Sequence, residues 1–412
     1  MFEHKTKDKD VFMNMPISTD LWDIVVYTSE LIKLAIDLGT SDIHLEPSRN
    51  FVSARFRESW DFIYIDKISP DEYTKLLARL KIMANLRIDE KHRPQDWKIA
   101  FTIEQTQENL DIRVSLLPIV DWEKVVMRIL RQDMSLLDLN KLEFLDVNLH
   151  KIKETLKSKY WMVLVAWPTW SWKSTTLFSV LKNFNPLDLN ISTLEDPVEY
   201  NIPFINQTHV RPDIWFDFAS GLRTLVRQDP DIIMVWEIRD KETAMLAIEA
   251  ALTWHLVIST IHTNSASGTI QRLINMGIEP FLIASALKLI ISQRLIKRVC
   301  KNCLKSYKIQ EAAITNKVDS YLWWIIPEKA ETIEFYKWEW CEKCTNTWYK
   351  WRLWVHEVLV VDERLDDLIL NKSSANDLEK RAKELWMVTI MQDAIIKAAT
   401  WKTTVEEALK LV

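Results

Sequence analysis

The stretch Met162-Val-Leu-Val-Ala-Trp-Pro-Thr-Trp-Ser-Trp-Lys-Ser174 decides the fold. Its first five residues form a short apolar run, which is typical of a buried strand in a parallel sheet. A turn-like segment follows, and a helix is predicted from about Lys173. Similar apolar runs recur at 191–194, 232–235 and 256–260, separated by helical or loop material. This alternation of strands and helices predicts an α/β fold with a parallel, doubly wound sheet.

The turn-like segment departs from a phosphate-binding pattern only where that pattern requires glycine. If each tryptophan is read as glycine, residues 167–174 become G-P-T-G-S-G-K-S, which matches G-x-x-x-x-G-K-[ST] between a strand and a helix. In this pattern backbone N–H groups surround phosphate oxygens, the lysine reaches the β- and γ-phosphates, and the next hydroxyl binds Mg2+. Ser174 is the predicted Mg2+ ligand. The predicted nucleotide-binding residues of this segment are Trp167, Pro168, Thr169, Trp170, Ser171, Trp172, Lys173, Ser174 and Thr175.

Glycine and tryptophan occur in inverted proportions. The 412 residues include 4 Gly and 20 Trp, whereas glycine averages about 7% of residues in proteins. Three indoles would fill the phosphate loop, and Trp254 and Trp351 also stand where turn chemistry favours glycine. Our interpretation is that the tryptophans correspond to UGA codons that the source organism reads as glycine, a reassignment known in some bacterial lineages. The alternative is a tryptophan-rich protein with degenerate motifs.

Composition narrows the class of protein. With 48% hydrophobic residues, 27% charged residues and a formal net charge of -5, a disordered or collagen-like chain is excluded, and the mild acidity argues against binding to nucleic acid. Residues 1–10 lack the apolar stretch of a signal peptide, and Lys288 interrupts the longest apolar run at 281–291. The sequence therefore predicts a cytoplasmic protein without a transmembrane segment.

The pattern along the chain predicts two folded domains and a carboxyl-terminal region. A helix at 24–38 and alternating, strand-like runs at 51–57 and 111–115 indicate a small α/β domain ahead of the parallel sheet. The predicted boundaries are a polar leader at 1–20, an amino-terminal α/β domain at 21–135, a linker at 136–150, a nucleotide-binding core at 151–290 and a carboxyl-terminal region with helices at 291–412.

All four cysteines fall in the carboxyl-terminal region as two C-x2-C pairs. In a chain without a secretory signal this spacing favours a metal site over disulfides. Four thiolates at such spacing are typical of a structural Zn2+ in tetrahedral coordination, and four reduced free thiols are the alternative. The predicted Zn2+ ligands are Cys300, Cys303, Cys341 and Cys344.

With glycine read for tryptophan, the chain resembles the secretion-superfamily ATPases of type II secretion and type IV pilus assembly, from Ser41 to about Leu409. Thr193-Leu-Glu-Asp-Pro-Val-Glu-Tyr200 is similar to the family's acidic box, and Asp229-Pro-Asp-Ile-Ile-Met-Val-Trp-Glu-Ile-Arg-Asp240 to its Walker B region. Trp254-His-Leu-Val-Ile-Ser-Thr-Ile-His-Thr263 is similar to its histidine box. Ser41-Asp-Ile-His-Leu-Glu-Pro47 and Arg93-Pro-Gln-Asp-Trp97 resemble its second amino-terminal domain.

The resemblance implies a RecA-like P-loop core, a smaller PAS-like amino-terminal domain and a zinc-bearing helical lobe. Glu237 would orient the attacking water, and one of the acidic-box residues would polarise it, with the choice among them open. Two histidines would sense the γ-phosphate, although core histidines are the alternative. Arginines of the first domain would act on the phosphates of a neighbouring site, although a salt-bridged sheet surface is the alternative. The residues that the resemblance assigns in this way are Glu195, Asp196, Glu199, Glu237, His255, His262, Arg93, Arg113 and Arg128.

The function implied by the resemblance is a homohexameric ATPase that uses ATP, Mg2+ and Zn2+ and powers pilin or pseudopilin assembly. Such a motor would lie in the cytoplasm, peripheral to the inner membrane, on an inner-membrane platform protein. A retraction ATPase is an alternative that the cysteines disfavour, and a DNA-translocating ATPase is disfavoured by the net charge. If the tryptophans are real, a ring component without hydrolysis is the remaining alternative. The sequence does not distinguish among pilus assembly, DNA uptake and type II secretion.

Overall fold

A computed structural model describes residues 23–58, 61–103, 108–130, 137–158, 160–166, 173–211, 214–300, 302, 304–307, 335–338 and 349–411. The chain divides into two compact units, Met1–Asp133 and Met134–Val412. The division falls close to the predicted domain end at residue 135. None of the helices in the described ranges is long and apolar enough to cross a membrane.

The first unit contains an antiparallel sheet of six strands with two helices packed on it. In β2 and its neighbours, alternate residues enter the core, as Ala54 and Phe56 do, while Arg55 and Arg57 point to the other face. The elements are α1 (Ile24–Asp37), β1 (Asp42–Pro47), β2 (Val52–Glu58), β3 (Asp61–Ile68), α2 (Pro70–Met83), β4 (Gln95–Ile103), β5 (Glu108–Pro118) and β6 (Glu123–Leu130), with strand order β3-β2-β1-β6-β5-β4.

The second unit is built on a sheet of seven strands whose order is β15-β12-β7-β11-β10-β8-β9. Two short 3-10 helices, Leu139–Lys141 and Val226–Gln228, accompany the longer elements. The elements are α3 (Asp146–Leu156), β7 (Trp161–Ala166), α4 (Lys173–Leu181), β8 (Ile191–Glu195), β9 (Asn206–His209), α5 (Phe218–Leu225), β10 (Ile232–Val235), α6 (Lys241–Leu252), β11 (Leu256–Ile261), α7 (Ala266–Asn275), α8 (Pro280–Ala286), β12 (Leu287–Val299), β13 (Leu304–Tyr307), β14 (Phe335–Trp338), β15 (Tyr349–Val360), α9 (Glu363–Leu370), α10 (Ala375–Glu384), α11 (Ile390–Ala399) and α12 (Val405–Leu409).

Helices cover both faces of the seven-stranded sheet, as the continuous apolar strands predict. In β7, Met162 and Leu164 join the core beneath α5 to α8, whereas Val163 and Val165 join the core beneath α3 and α4. All strand pairs are parallel except β12 with β15, so the sheet is mixed. The α/β fold is confirmed, and the strands predicted at 191–194, 232–235 and 256–260 correspond to β8, β10 and β11.

The core sheet extends beyond the predicted core boundary. The boundary placed at residue 290 falls inside β12, and β15 pairs with β12 from still farther along the chain. The carboxyl-terminal region therefore supplies sheet strands as well as helices. The composition of the sequence does not show that a strand crosses residue 290, because β12 begins inside the apolar run at 281–291 and no glycine or proline marks its start.

The open edge of β15 is covered by two side chains of α11. The His356 backbone N–H donates to Asp393 Oδ2 at 2.6 Å, and Lys397 Nζ donates to the Trp354 carbonyl at 2.7 Å. The two α11 side chains also form a buried ion pair at 2.7 Å. An unpaired edge strand exposes N–H and C=O groups to other chains. Asp393 and Lys397 satisfy two of these backbone groups and cover this part of the edge.

Several helices end in the same hydrogen-bonded cap. In α10 the Trp386 N–H donates to the Lys383 carbonyl at 3.1 Å, and the next N–H donates to the Ala382 carbonyl at 2.9 Å. This closure requires a left-handed residue, and Trp386 has φ 64°. The same two bonds close α1 at Gly39 and α7 at Gly277, with φ 71° and 85°.

Tryptophan thus occupies positions that glycine fills elsewhere in the chain. Six of the eleven described non-glycine residues with positive φ are tryptophan, namely Trp161, Trp215, Trp254, Trp351, Trp386 and Trp401; the others are Asn85, Glu143, Phe204, Asp229 and Lys372. A residue with a Cβ atom pays about 1–2 kcal/mol in this region, which makes bulky side chains rare there. The backbone geometry therefore supports the interpretation that these positions are glycine in the native protein.

We expect Trp386→Gly to unfold at a higher temperature than Trp386→Ala. Both replacements remove an indole that is 67% exposed, but only glycine relieves the left-handed strain. The expected difference is about 1 kcal/mol after the entropic cost of glycine is subtracted. Thermal or urea unfolding of the two variants measures it, and equal stabilities would contradict the assignment.

Candidate functional site

The site lies where four parallel strands of the second unit end. The register pairs Ala166 of β7 with Ile261 of β11, and it pairs Val235 of β10 with both Ser259 and Leu194. The residues that follow these strands therefore meet along one edge of the sheet. In open parallel sheets this carboxyl edge is where ligands bind.

The predicted phosphate-binding residues begin at this edge. They follow Ala166 directly, and α4 begins at Lys173. Trp167 to Trp172, and the side chains of Lys173 and Ser174, lie outside the described residues. Thr175 is described and is buried on α4. The phosphate-binding pattern requires a strand before it and a helix after it, and β7 and α4 occupy these two positions.

Glu237 is the centre of the charged cluster at this edge. Its carboxylate is 3% exposed, and it lies two residues after β10. Oε1 is 2.8 Å from His262 Nε2, and Oε2 is 3.0 Å from Arg239 Nη2. The bond with Glu237 raises the pKa of the Arg239 guanidinium. Both carboxylate oxygens are therefore held in a fixed orientation by groups that favour negative charge.

Glu195 is a second carboxyl in a different environment. It ends β8 and is completely buried. Thr193 Oγ1 and Gln207 Nε2 donate to its Oε1 at 2.7 and 2.8 Å, and the Glu199 backbone N–H also donates to the carboxylate. Burial raises the pKa of Glu195 to about 7 against these neutral donors. The group can therefore gain or lose a proton near neutral pH.

The structure brings His262 into the cluster but not His255. His262 follows β11 and contacts Glu237, whereas His255 precedes β11 at the opposite edge of the sheet. A strand of this length spans about 20 Å. His255 Nδ1 lies 2.9 Å from the Ala250 carbonyl near the end of α6. His255 thus contacts the last turn of α6, and its role at the nucleotide stays a prediction of the resemblance.

The arginines of the first unit differ in their partners. Arg128 Nε donates to Asp42 Oδ1 at 2.8 Å, so it belongs to a salt-bridged sheet surface. Arg113 lies opposite Arg128 on the neighbouring strand, is exposed, and forms no ion pair with any described residue. Arg93 is exposed in a loop, where its backbone N–H donates to Glu90. Of the two strand arginines, Arg113 has its guanidinium available.

The cysteine set falls mostly outside the described residues. Cys300 follows β12 and is 2% exposed, whereas Cys303, Cys341 and Cys344 are not described. Within the described ranges, no group of three or more His, Cys, Asp or Glu side chains could hold a metal ion.

Two residues of the site were missed by the sequence reasoning. Arg239 lies within the Walker B stretch but had been assigned no role, although a cation two residues after a carboxylate could have suggested a pair. Gln207 lies on β9 and reaches Glu195 across the sheet. Nothing in the sequence around Gln207 indicates this contact, because strand order alone creates it.

A largely parallel sheet with helices on both faces, acidic residues at the carboxyl ends of its strands, and a predicted phosphate-binding pattern between β7 and α4 is typical of the class of P-loop nucleotide hydrolases. Within this class, the family described as Type II/IV secretion system protein matches residues 18–410. The chain belongs to this family.

Relatives of known name share this assignment. The chain is 41% identical to the type IV pilus assembly ATPase PilB of Myxococcus xanthus over 94% of the chain and 67% of the relative. It is 38% identical to the PilB of Thermus thermophilus, over 99% of the chain and 45% of the relative. It is also 38% identical to the type II secretion system ATPase E of Vibrio cholerae, over 96% of the chain and 76% of the relative. The chain thus spans between about half and three quarters of the length of these proteins.

Solved structures show the same fold. The Legionella pneumophila ATPase DotB superposes with a TM-score of 0.68 at 19% identity, over 94% of this chain and 95% of that one. The pilus retraction motor PilT with bound ADP superposes with a TM-score of 0.61 at 24% identity, over 93% and 96%. These likenesses establish an α/β fold of the P-loop ATPase kind.

The raised pKa of Glu195 predicts a pH-dependent stability. The unfolded chain loses this proton near 4.5 and the folded chain near 7, so the folded state loses stability as the pH rises through that window. Glu195→Gln should remove a decline on the order of 3 kcal/mol between pH 4.5 and 7. Urea unfolding at several pH values measures the free energy.

The matched control is Glu249→Gln, which replaces an exposed carboxyl on α6. It should leave the decline with pH as it is in the parent chain. If the Glu195→Gln curve runs parallel to that of the parent, Glu195 does not hold its proton to neutral pH.

Proposed function

We propose that the chain is the ATP-hydrolysing motor subunit of a pilus or type II secretion assembly machine. The observation that carries the proposal is the buried Glu237 carboxylate, held between His262 and Arg239 at the end of the sheet where β7 also ends. The names of the relatives, pilus assembly ATPase and secretion ATPase, support the same activity. The machine would be a cytoplasmic homohexamer on an inner-membrane platform protein, without nucleic acid as partner.

In this proposal, Lys173 and Ser174 would hold ATP and Mg2+, together with the backbone of the preceding segment. Mg2+ would neutralise the charge that develops on the phosphates during hydrolysis. Glu237 would orient water towards the γ-phosphate, and His262 would fix the orientation of that carboxylate. Glu195, which can exchange a proton near neutral pH, is our choice for the acidic-box residue that polarises the water. Asp196 and Glu199 would shape the same acidic edge.

Arg113 is our choice for the arginine that acts on the phosphates of a neighbouring subunit. Its guanidinium is exposed and has no ion pair among the described residues, whereas Arg128 is held by Asp42. An arginine of this kind stabilises charge on the transferred phosphoryl group. Arg93 would be a second contact from the exposed loop of the same unit.

We also propose that the native protein carries glycine at the tryptophan positions. Backbone N–H groups can surround a phosphate only where no side chain fills the loop. The left-handed tryptophans of the described ranges support the same reading at independent positions. The alternative, a ring component without hydrolysis, requires the indoles of the loop to be real. Intact mass of the protein from its own host distinguishes the two.

The decisive experiment measures phosphate release from the chain with glycine at all 20 tryptophan positions. This chain should hydrolyse ATP, and Glu237→Gln should reduce its rate by at least about 100-fold while nucleotide binding persists, because the amide keeps the shape of the side chain but lacks the negative charge and the second acceptor oxygen that orient the water. Glu249→Gln on the surface of α6 is the matched control and should retain the parent rate. Full activity of Glu237→Gln would overturn the assignment of this residue.

Two comparisons in the same assay extend it. The tryptophan-containing chain should release no phosphate, and inactivity of both chains would overturn the motor proposal. Arg113→Ala should lower the rate at saturating ATP far more than Arg128→Ala, because Arg128 is bound to Asp42 within its own sheet. Equal rates for these two arginine variants would exclude the role chosen for Arg113.

We propose further that Cys300, Cys303, Cys341 and Cys344 hold one structural Zn2+. The support is the C-x2-C spacing of both pairs and the burial of Cys300 at the end of β12. Atomic emission should detect one zinc per chain, and Cys341→Ser combined with Cys344→Ser should lose it while ATP hydrolysis at low temperature continues. Protein that folds and contains no zinc would refute the site and reopen the alternative of a retraction motor.

A further inference from the structure

A buried hydrogen bond joins α4 to β12. Thr176 Oγ1 donates to Gln293 Oε1 at 2.6 Å, and both residues are completely buried. Thr176 is the fourth residue of α4, the helix that follows the predicted phosphate-binding segment. A short bond in a protected interior is stronger than the same bond in water, because the local dielectric constant is low.

The position of Gln293 in the sheet gives this bond its importance. Its neighbour Ser292 pairs with Ala166, the last residue of β7. Gln293 is thus level with the start of the segment that leads from β7 to α4. One strand, β12, contacts a residue on each side of that segment: Ala166 through the parallel ladder, and Thr176, inside α4, through the Gln293 amide. The bond therefore fixes the position of α4 relative to the end of β7.

Polar groups are gathered around this bond at a cost to stability. Gln293 Nε2 and Thr175 Oγ1 are buried and have no hydrogen-bond partner among the described groups. His356 lies opposite Gln293 on β15, and both of its ring nitrogens are also without a described partner. Burial lowers the pKa of His356 far below its ordinary value, so its ring is neutral.

A buried polar group without a partner is less favourable than a satisfied one, and apolar side chains would fill the same space without that penalty. The neighbouring residues of β12, Leu289 and Ile291, are apolar and belong to the core. The polar character of this part of β12 is therefore local and coincides with the level of the phosphate-binding segment. Retained buried polar groups of this kind point to a function.

We infer that Gln293 is a positioning residue of the nucleotide site, acting through the Thr176 hydroxyl to hold α4 at the distance from β7 that phosphate binding requires. Gln293 does not touch the nucleotide in this arrangement. Its role is to fix the first turn of α4, whose backbone N–H groups face the phosphates in a loop of this type. The inference rests on the proposed binding of ATP.

The test uses Thr176→Val, which keeps the shape of the side chain and removes the hydroxyl, and Thr176→Ser, which keeps the hydroxyl. Gln293→Met removes the amide at similar length. All are made in the chain with glycine at the tryptophan positions, and the double variant Thr176→Val with Gln293→Met completes a cycle. The measurements are the Kd of a fluorescent ATP analogue, the KM and kcat of phosphate release, and the unfolding temperature.

We expect Thr176→Val and Gln293→Met each to raise the Kd and KM for ATP by about 10-fold, with a smaller change in kcat, because a buried hydrogen bond contributes on the order of 1 kcal/mol. Thr176→Ser should restore the parent values. The double variant should be no weaker than either single variant, since both remove the same bond.

Ser179→Ala is the matched control. Ser179 is buried on the same helix, and its hydroxyl donates to the Thr175 carbonyl of α4 at 2.6 Å, so its loss leaves the link to β12 intact. It should keep the parent Kd. A lower unfolding temperature with unchanged Kd and KM in both single variants would overturn the inference, as would strictly additive effects in the cycle. A parent chain that binds no ATP would instead refute the proposed function, and the parent is measured first.

Discussion

The parallel register of β7, β11, β10 and β8 is the constraint on which the site depends. Because Ala166 pairs with Ile261, and Val235 pairs with both Ser259 and Leu194, the chain leaves all four strands at one level. Each strand is buried on both faces, so a shift of register would bury backbone groups without partners. The ladders therefore place Glu195, Glu237 and His262 at the same end of the sheet, where Glu237 and His262 are in contact.

The two buried carboxyls, Glu195 and Glu237, differ in the groups that surround them. Glu237 faces a guanidinium and an imidazole, whereas Glu195 has only neutral donors in the described structure and a pKa raised to about 7 by desolvation. Pairs of carboxyls whose environments separate their proton affinities are the usual basis of acid and base roles. The same sheet therefore also gives the two carboxyls different surroundings: β9 pairs beside Glu195 and supplies Gln207, whereas Glu237 contacts the partly exposed His262.

The hydrogen bonds that end several helices require a residue with a left-handed backbone conformation. A helix that ends in the double hydrogen bond seen at Gly39 and Gly277 forces a left-handed residue after its last turn, whatever the sequence. Trp386 and Trp401 occupy the same closure. The two hydrogen bonds join backbone groups, so they form even where the left-handed residue is tryptophan. The unfavourable backbone conformation of that tryptophan then lowers the stability of the protein. Composition and geometry therefore point to glycine by independent routes.

The sequence by itself determined the strand segments, the phosphate-binding pattern, the acidic boxes and the cysteine spacing, because these depend on neighbours along the chain. It left other features open that the structure now places: His255 lies at the amino end of β11, Arg128 is bound to Asp42, and β12 continues across the boundary predicted at residue 290. Only the tertiary structure decided that Glu237 meets His262 and Arg239, that Gln207 donates to Glu195, and that Thr176 is tied to Gln293. Those contacts join residues on different strands and helices, and desolvation depends on everything packed around a group, so no local pattern encodes them.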